Sequence, residues 1–211
     1  MAKTFGWMFI GLLVTFLTGY FVSVNPNMVM NVMSTGGLLL IIIVELALVI
    51  FLSARITKMN PTTAKLSFLL YSFVSGLTFS SIFIVYEVTS IIYVFLVTAV
   101  IFAVFATIGA LTKIDLTKLG TYLLMALFGV IICTIVNFFL NSSSFDLLLS
   151  IIIILIFIGF TAYDVQKISR LSEINLMHED NLAIYGALEL YLDFINLFLH
   201  ILSIFGNAKD N

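Results

Sequence analysis

The sequence predicts an all-α integral membrane protein of seven spans, and three observations lead there. Of 211 residues, 62% are hydrophobic and 9% charged, with a mean hydropathy of +1.23, so the chain has too little polar surface to dissolve as a globule. Its apolar runs reach roughly 20 residues, the length that crosses a hydrocarbon core of about 30 Å as helix, whereas barrel strands would be short and alternating. The polar and helix-breaking residues gather between the runs.

The runs are 5–24, 36–54, 66–85, 90–111, 119–140, 145–164 and 182–205. They are separated by Asn25-Pro26-Asn27, by the segment 58–63 with Pro61, by the segment 113–118, and by Asn141 with the serines after it. Both prolines fall between runs, so no proline kink is expected inside a span. No stretch is long or polar enough for a separate soluble domain, and residues 1–211 read as one seven-helix unit. The first run lacks the small-residue cleavage site of a signal peptide and reads as a helix.

Loop parity places Lys3, Arg55, Lys58, Lys65, Lys113, Lys118, Lys167 and Arg170 on one side and Lys209 alone on the other, eight against one. The excess of positive charge on cytoplasmic loops then gives a cytoplasmic N-terminus, an outside C-terminus and an inner (plasma) membrane location. The single cysteine, Cys133, rules out an internal disulfide, and it makes no soft-metal cluster with His178 and His200. No cofactor is expected. No basic run suggests nucleic acid, and the expected partners are ions, protons and membrane lipid.

Two helical faces stand out. The fourth span carries Ala99, Ala103, Ala106 and Ala110 beside Gly109, a small-residue stripe suited to close helix approach. The third is rich in hydroxyls, with Ser67, Ser72, Ser75, Thr78, Ser80 and Ser81. Such hydroxyls bond back to their own helix or line a wet cavity.

The chemistry concentrates in the last two spans. A charge at bilayer depth costs a few kcal/mol, so an acid there marks an ion, proton or catalytic site. Asp164 and Asp193 are two such acids. On the seventh span Glu189, Asp193, Asn196 and His200 follow one another at spacings of four, three and four, on one helical face. That face must look into protein or water, which makes the seventh helix an inner one. Glu45, mid-way along the second span, also needs a partner. The polar stretch 175–181 marks the turn between spans six and seven, centred near His178 and Glu179, and the spacing of Val165, Ile168 and Leu171 continues the sixth helix beyond the membrane core. An antiparallel hairpin then brings Asp164 and Asp193 to one level. Two adjacent carboxylates do not both ionise cheaply, so they share a proton and titrate as a unit, which makes a pH switch. Two roles fit Arg55: pairing with Asp164 when the diacid bond opens, and interfacial anchoring.

Three strings carry a family resemblance: YDVQKI at 163–168, LYLDFINLFLHIL at 190–202 and FVSGLTFSSI at 73–82. The chain resembles, over its whole length, the transmembrane Bax-inhibitor-motif family, most closely its bacterial YetJ type. The resemblance implies two three-helix layers around a central seventh helix. It also implies a passive, pH-sensitive calcium leak, not an enzyme, with Asp164 and Asp193 as the hydrogen-bonded sensor and Arg55 as latch. Glu189 is an addition to that pattern. Calcium, the expected permeant ion, takes several oxygen ligands in flexible geometry, so Glu45, Glu189 and Asp193 with nearby hydroxyls and carbonyls suit weak, transient coordination, and Asn196 and His200 are further candidates for the ion path.

Other readings of the diacid remain. An intramembrane aspartyl protease also places Tyr-Asp in one helix and an aspartate in the next, but here Tyr191-Leu192 precede Asp193 where that class has a Gly-x-Gly, and no proline follows Pro61. A proton-coupled transporter would use the same buried groups. A retinal protein is excluded because the seventh span has no lysine for a Schiff base, and a zinc hydrolase because two histidines make no cluster.

Overall fold

The computed structural model describes residues 1–174 and 178–209. Eight α-helices follow in order: α1 (Ala2–Ser23), α2 (Pro26–Met33), α3 (Thr35–Arg55), α4 (Pro61–Val85), α5 (Val88–Leu111), α6 (Thr117–Leu140), α7 (Ser143–Ile174) and α8 (Glu179–Phe205). Seven of them, all but α2, are long and apolar enough to cross a membrane. They match the seven runs of the sequence, and they extend mainly at their polar ends, which no hydropathy window registers. The largest extension is α7, which continues as helix ten residues past Asp164, to Ile174. The expected turn lies partly outside the described residues, at 175–177.

Where a plain loop was expected around Pro26, the chain forms the short helix α2. Pro26 and Pro61 each take the first helical position, where a missing N–H costs nothing and a fixed φ favours the helix. Side chains cap two of the long helices: Ser34 Oγ accepts from Gly37 N at 3.1 Å, and Asn60 Oδ1 from Thr62 N at 3.0 Å. At the end of α6, Asn141 takes the left-handed conformation (φ 49°, ψ 41°) that closes a helix and that asparagine tolerates.

The described residues form two compact units. The first comprises Met1–Val88, Leu171–Tyr191 and Asn207–Asn211. Its axis is the α1–α4 pair, in which Gly11, Thr15 and Gly19, four residues apart, lie against Phe68, Ser72, Gly76 and Phe83. Any Cβ added at Gly76 would stand 2.5 Å from Thr18 Cβ, so glycine is what permits this approach. The numbers rise together along both helices, which are therefore parallel. The first half of α8 runs the same way, with Lys3 at Glu179 and Asp180 and the Thr15 hydroxyl 2.7 Å from that of Tyr191. Parallel direction is what the first, third and seventh spans of an alternating chain must share. Lys65 joins the same end through Asp180 at 2.6 Å. The only basic residue assigned to the other side, Lys209, donates to Phe83 O at 2.7 Å, near the opposite end of α4, next to the antiparallel bridge between Tyr86 and Ala208.

The second unit comprises Thr89–Arg170 and Leu192–Gly206. Here the alanine stripe needs correction. The buried face of α5 is Ile91, Val94, Thr98, Phe102, Ala106 and Gly109, while Ala103 and Ala110 are exposed. A helix apolar on all sides gives no sequence signal for which face turns inward. The close approach occurs where Gly109 meets the Ala162 carbonyl of α7. α6 and α7 pack antiparallel through Gly120 against Tyr163 and Gly159 against Leu123, and their turn is held by Asn137, which donates to Ser142 O at 3.2 Å and to Asp146 Oδ1.

Burial separates the spans. Half of the apolar stretch of α8 is buried, the largest share, against 11% for α3 and α6. The helix with the acidic stripe is thus the most buried of the seven, and α3 and α6 are the least.

Candidate functional site

Every residue of the YDVQKI string on α7 has a structural task. Val165 and Ile168 are buried. The Tyr163 ring rests on α6 at Gly120, where any Cβ would come within 2.5 Å of it. Asp164 is 4% exposed. Gln166 grips the connection between α5 and α6 with both ends of its amide: Oε1 accepts from Leu116 N at 2.9 Å, and Nε2 donates to Ile114 O at 2.8 Å. One turn beyond Asp164, Lys167 sets its amine 3.5 Å from Asp164 Oδ1 and 5.7 Å from the centre of the Tyr163 ring.

The grip of α7 on that connection continues outside the membrane span. Arg170 Nη1 donates to Asp115 Oδ1 at 2.7 Å, and Thr117 donates to the same oxygen from its hydroxyl at 2.7 Å and its backbone N–H at 3.0 Å. The Thr117 hydroxyl first, then its N–H and the Arg170 guanidinium, hold the Asp115 carboxyl well below the usual carboxylate range.

Asp193 is also 4% exposed, and it lies in the same unit as Asp164. On its helix face Asn196 donates back to Leu192 O at 2.8 Å, and His200 Nδ1 stands 3.2 Å from Ser150 Oγ of α7, a contact that fixes α7 and α8 as antiparallel. Measured by helical rise from Ser150, which meets both His200 and Ser203, Asp164 lies about 21 Å along α7 and Asp193 about 10–15 Å back along α8, levels that differ by one to two turns. Beyond Asp193, Phe194 and Phe198 stack edge-on with Phe95 and Phe102 of α5, ring centres 5.1–6.1 Å apart.

The remaining candidates lie in the first unit. Glu45 is half-buried on α3 and finds its partners on the hydroxyl-rich face of α4: Ser75 Oγ donates to Oε1 at 2.6 Å and Thr78 Oγ1 to Oε2 at 2.9 Å. The other hydroxyls of that face bond back to their own helix, Ser72 to Phe68 O and Ser80 to Leu77 O. Glu189 is half-buried, and Arg55 is exposed at the end of α3. Just past Arg55 the chain is held by Asn181 Nδ2, which donates to Ile56 O at 2.9 Å and Met59 O at 2.7 Å. Among the described residues no group of three or more His, Cys, Asp and Glu is placed to hold a metal ion.

Sequence reasoning missed Lys167 and Gln166. The signal for Lys167 was present in its i, i+3 spacing from Asp164; nothing local pointed to Gln166, whose partners are 50 and 52 residues away.

The family model described as "Inhibitor of apoptosis-promoting Bax1" matches residues 1–210. The inner membrane protein YbhL of Escherichia coli K12 is 45% identical over 215 residues, covering 99% of this chain and 92% of that protein. An uncharacterised protein of Borreliella burgdorferi is 40% identical over 100% of this chain and 93% of its own length. An uncharacterised membrane protein of Streptococcus pyogenes serotype M1 is 39% identical over 78% of this chain and 72% of its own. With its whole length matched and its seven apolar helices in place, the chain is a multi-pass membrane protein belonging to the Bax-inhibitor family.

Proposed function

We propose that the protein is a pH-sensitive passive calcium leak in which Asp164 and Asp193 share a proton and so bias the packing of α7 against α8. The observation that carries this reading is the burial of both carboxylates, 4% exposed each, on antiparallel helices of one unit. Side chains lean toward the N-terminus of their own helix, and in an antiparallel pair offset in this sense the two carboxyls lean toward each other. A shared proton stabilises the closed packing. Its loss leaves two charges that repel, and Lys167 stands ready to take Asp164. Arg55 is the second candidate latch, carried over from the family pattern. The aromatic cluster of Phe194, Phe198, Phe95 and Phe102 suits a hydrophobic constriction that opens when α8 shifts. The oxygens of Glu45 and Glu189 in the first unit and of Asn196 in the second suit weak, passing contact with calcium, and His200 is a further candidate beside the ion path.

The test is calcium entry into liposomes containing the purified protein, followed by a trapped calcium dye across a pH series. The Asp164→Asn, Asp193→Asn double variant runs beside it. A pH-dependent flux that flattens in the variant supports the diacid switch, because an amide keeps the shape but cannot share a proton. An unchanged curve removes the pair from the sensor. No flux at any pH sends the diacid to the peptide-cleavage and proton-coupled uptake assays.

A further inference from the structure

We propose that the first unit carries a binding groove for one acyl chain of a membrane phospholipid, between α1, α2 and α4. The groove, of about 660 Å³, is lined by Leu17 and Phe21 of α1, Met28 and Val32 of α2, and Phe73 and Leu77 of α4, and its polar groups are few, among them Asn31. That volume lies within the range of about 300–1,000 Å³ typical of small-ligand sites.

Three features select the occupant. The first is depth. From the ends of their helices, Leu17 lies about 9 Å down α1, and Leu77 and Phe73 lie about 12 and 18 Å down α4. Thr15 meets Ser72 and Thr18 meets Gly76 along these parallel helices, so Leu17 is level with the stretch between Phe73 and Leu77, and all three lie inside the hydrocarbon half-thickness of about 15 Å that one acyl chain fills. The second is the lining. α2 is eight residues long and too short to span, and it lends Met28 and Val32, one turn apart, and the exposed Asn31 to the groove lining. Apolar walls with one exposed amide among them match the make-up of an amphiphile. The third is exposure: Leu17 (55%), Phe21 (60%) and Phe73 (47%) are large apolar side chains left uncovered around a concave surface. At this depth hydrocarbon is what surrounds them, and a concave wall holds a chain longer than the convex face of a single helix does. Phe73 and Leu77 point away from the face of α4 whose Ser75 and Thr78 hold Glu45, so the groove is separate from the candidate ion groups.

Purified protein in vesicles of phosphatidylethanolamine and phosphatidylglycerol, doped with a phospholipid bearing a diazirine in its acyl chain, is irradiated and the labelled peptides are mapped. Label on segments 17–22, 28–32 and 73–77 should exceed, several-fold, the label on the convex lipid face of α6 around Phe128 and Ile132, which is equally exposed. Leu77→Trp and Val32→Trp, which fill the groove from two different helices, should each lower that excess without changing the α6 signal. Equal labelling of groove and α6 means annular lipid only and overturns the proposal. So does a groove left unlabelled while α6 is labelled, which would mean that something other than lipid, such as a second copy, fills it. The wild-type ratio decides even where a variant fails to fold.

Discussion

Lys167 holds its amine 3.5 Å from the buried carboxylate of Asp164, one turn along the same helix and over the ring of Tyr163. The cation nearest the candidate sensor along the chain is thus supplied by the sensor's own helix, and the pair stays together however α7 moves. An opposite charge at this distance favours the ionised carboxylate. Replacing Lys167 with Met keeps most of the side-chain length and removes the charge, so the pH response of the flux should shift, read from the liposome titration. A midpoint that stays put would assign Lys167 to packing alone.

Glu45 is held by two hydroxyls, and its contacts are testable without any transport assay. Hydrogen bonds to a charged group contribute about 1.5–3 kcal/mol, less in membranes where unfolded helices also find partners. Ser75→Ala should lower stability by about 1 kcal/mol, and Ser75→Ala with Thr78→Ala by more than the larger single effect. In the Glu45→Gln background the same changes should cost less, because the neutral amide accepts weakly. Thermal unfolding in detergent, run as a double-mutant cycle, reads the coupling.

The Gln166 clamp predicts a local effect. Leucine at this position keeps the volume but removes the bonds to Leu116 N and Ile114 O, which are only part-buried, at about 0.5–1.5 kcal/mol for each bond lost. Amide exchange in Gln166→Leu should rise over residues 112–118 and leave the turn at Asn137 and Asp146 unchanged. Uniform acceleration along the chain would show that Gln166 acts on global stability.

Two glycines give a matched pair. Gly109 faces the Ala162 carbonyl with no room for a Cβ, while Gly129 has nothing within 4 Å. Gly109→Ala should destabilise by about 1–3 kcal/mol, in the range of overpacking. Gly129→Ala should be neutral or slightly stabilising, by helix propensity. Monodisperse yield after heating separates the two.

The sequence by itself determined the membrane class, the seven spans, and the two aspartates as acids inside them. These follow from quantities that read along one dimension: the thickness of the hydrocarbon and the cost of a charge inside it. The acidic stripe also identified α8 as an inner helix, since charged groups break the symmetry of an otherwise apolar cylinder.

Which faces meet was decided only by the tertiary structure. Of the small-residue stripe of α5 only Ala106 and Gly109 reach the buried face while Ala103 and Ala110 are exposed, because apolar side chains surround that helix and close packing, not hydrophobicity, selects the face. The helix α2 was hidden in a segment that composition marked as loop. The partners of Glu45, the grip of Gln166 and the Thr15–Tyr191 contact join residues 30 to 176 positions apart. No local pattern encodes such pairs, because in lipid they arise when polar groups with no water to bond find one another as the helices dock.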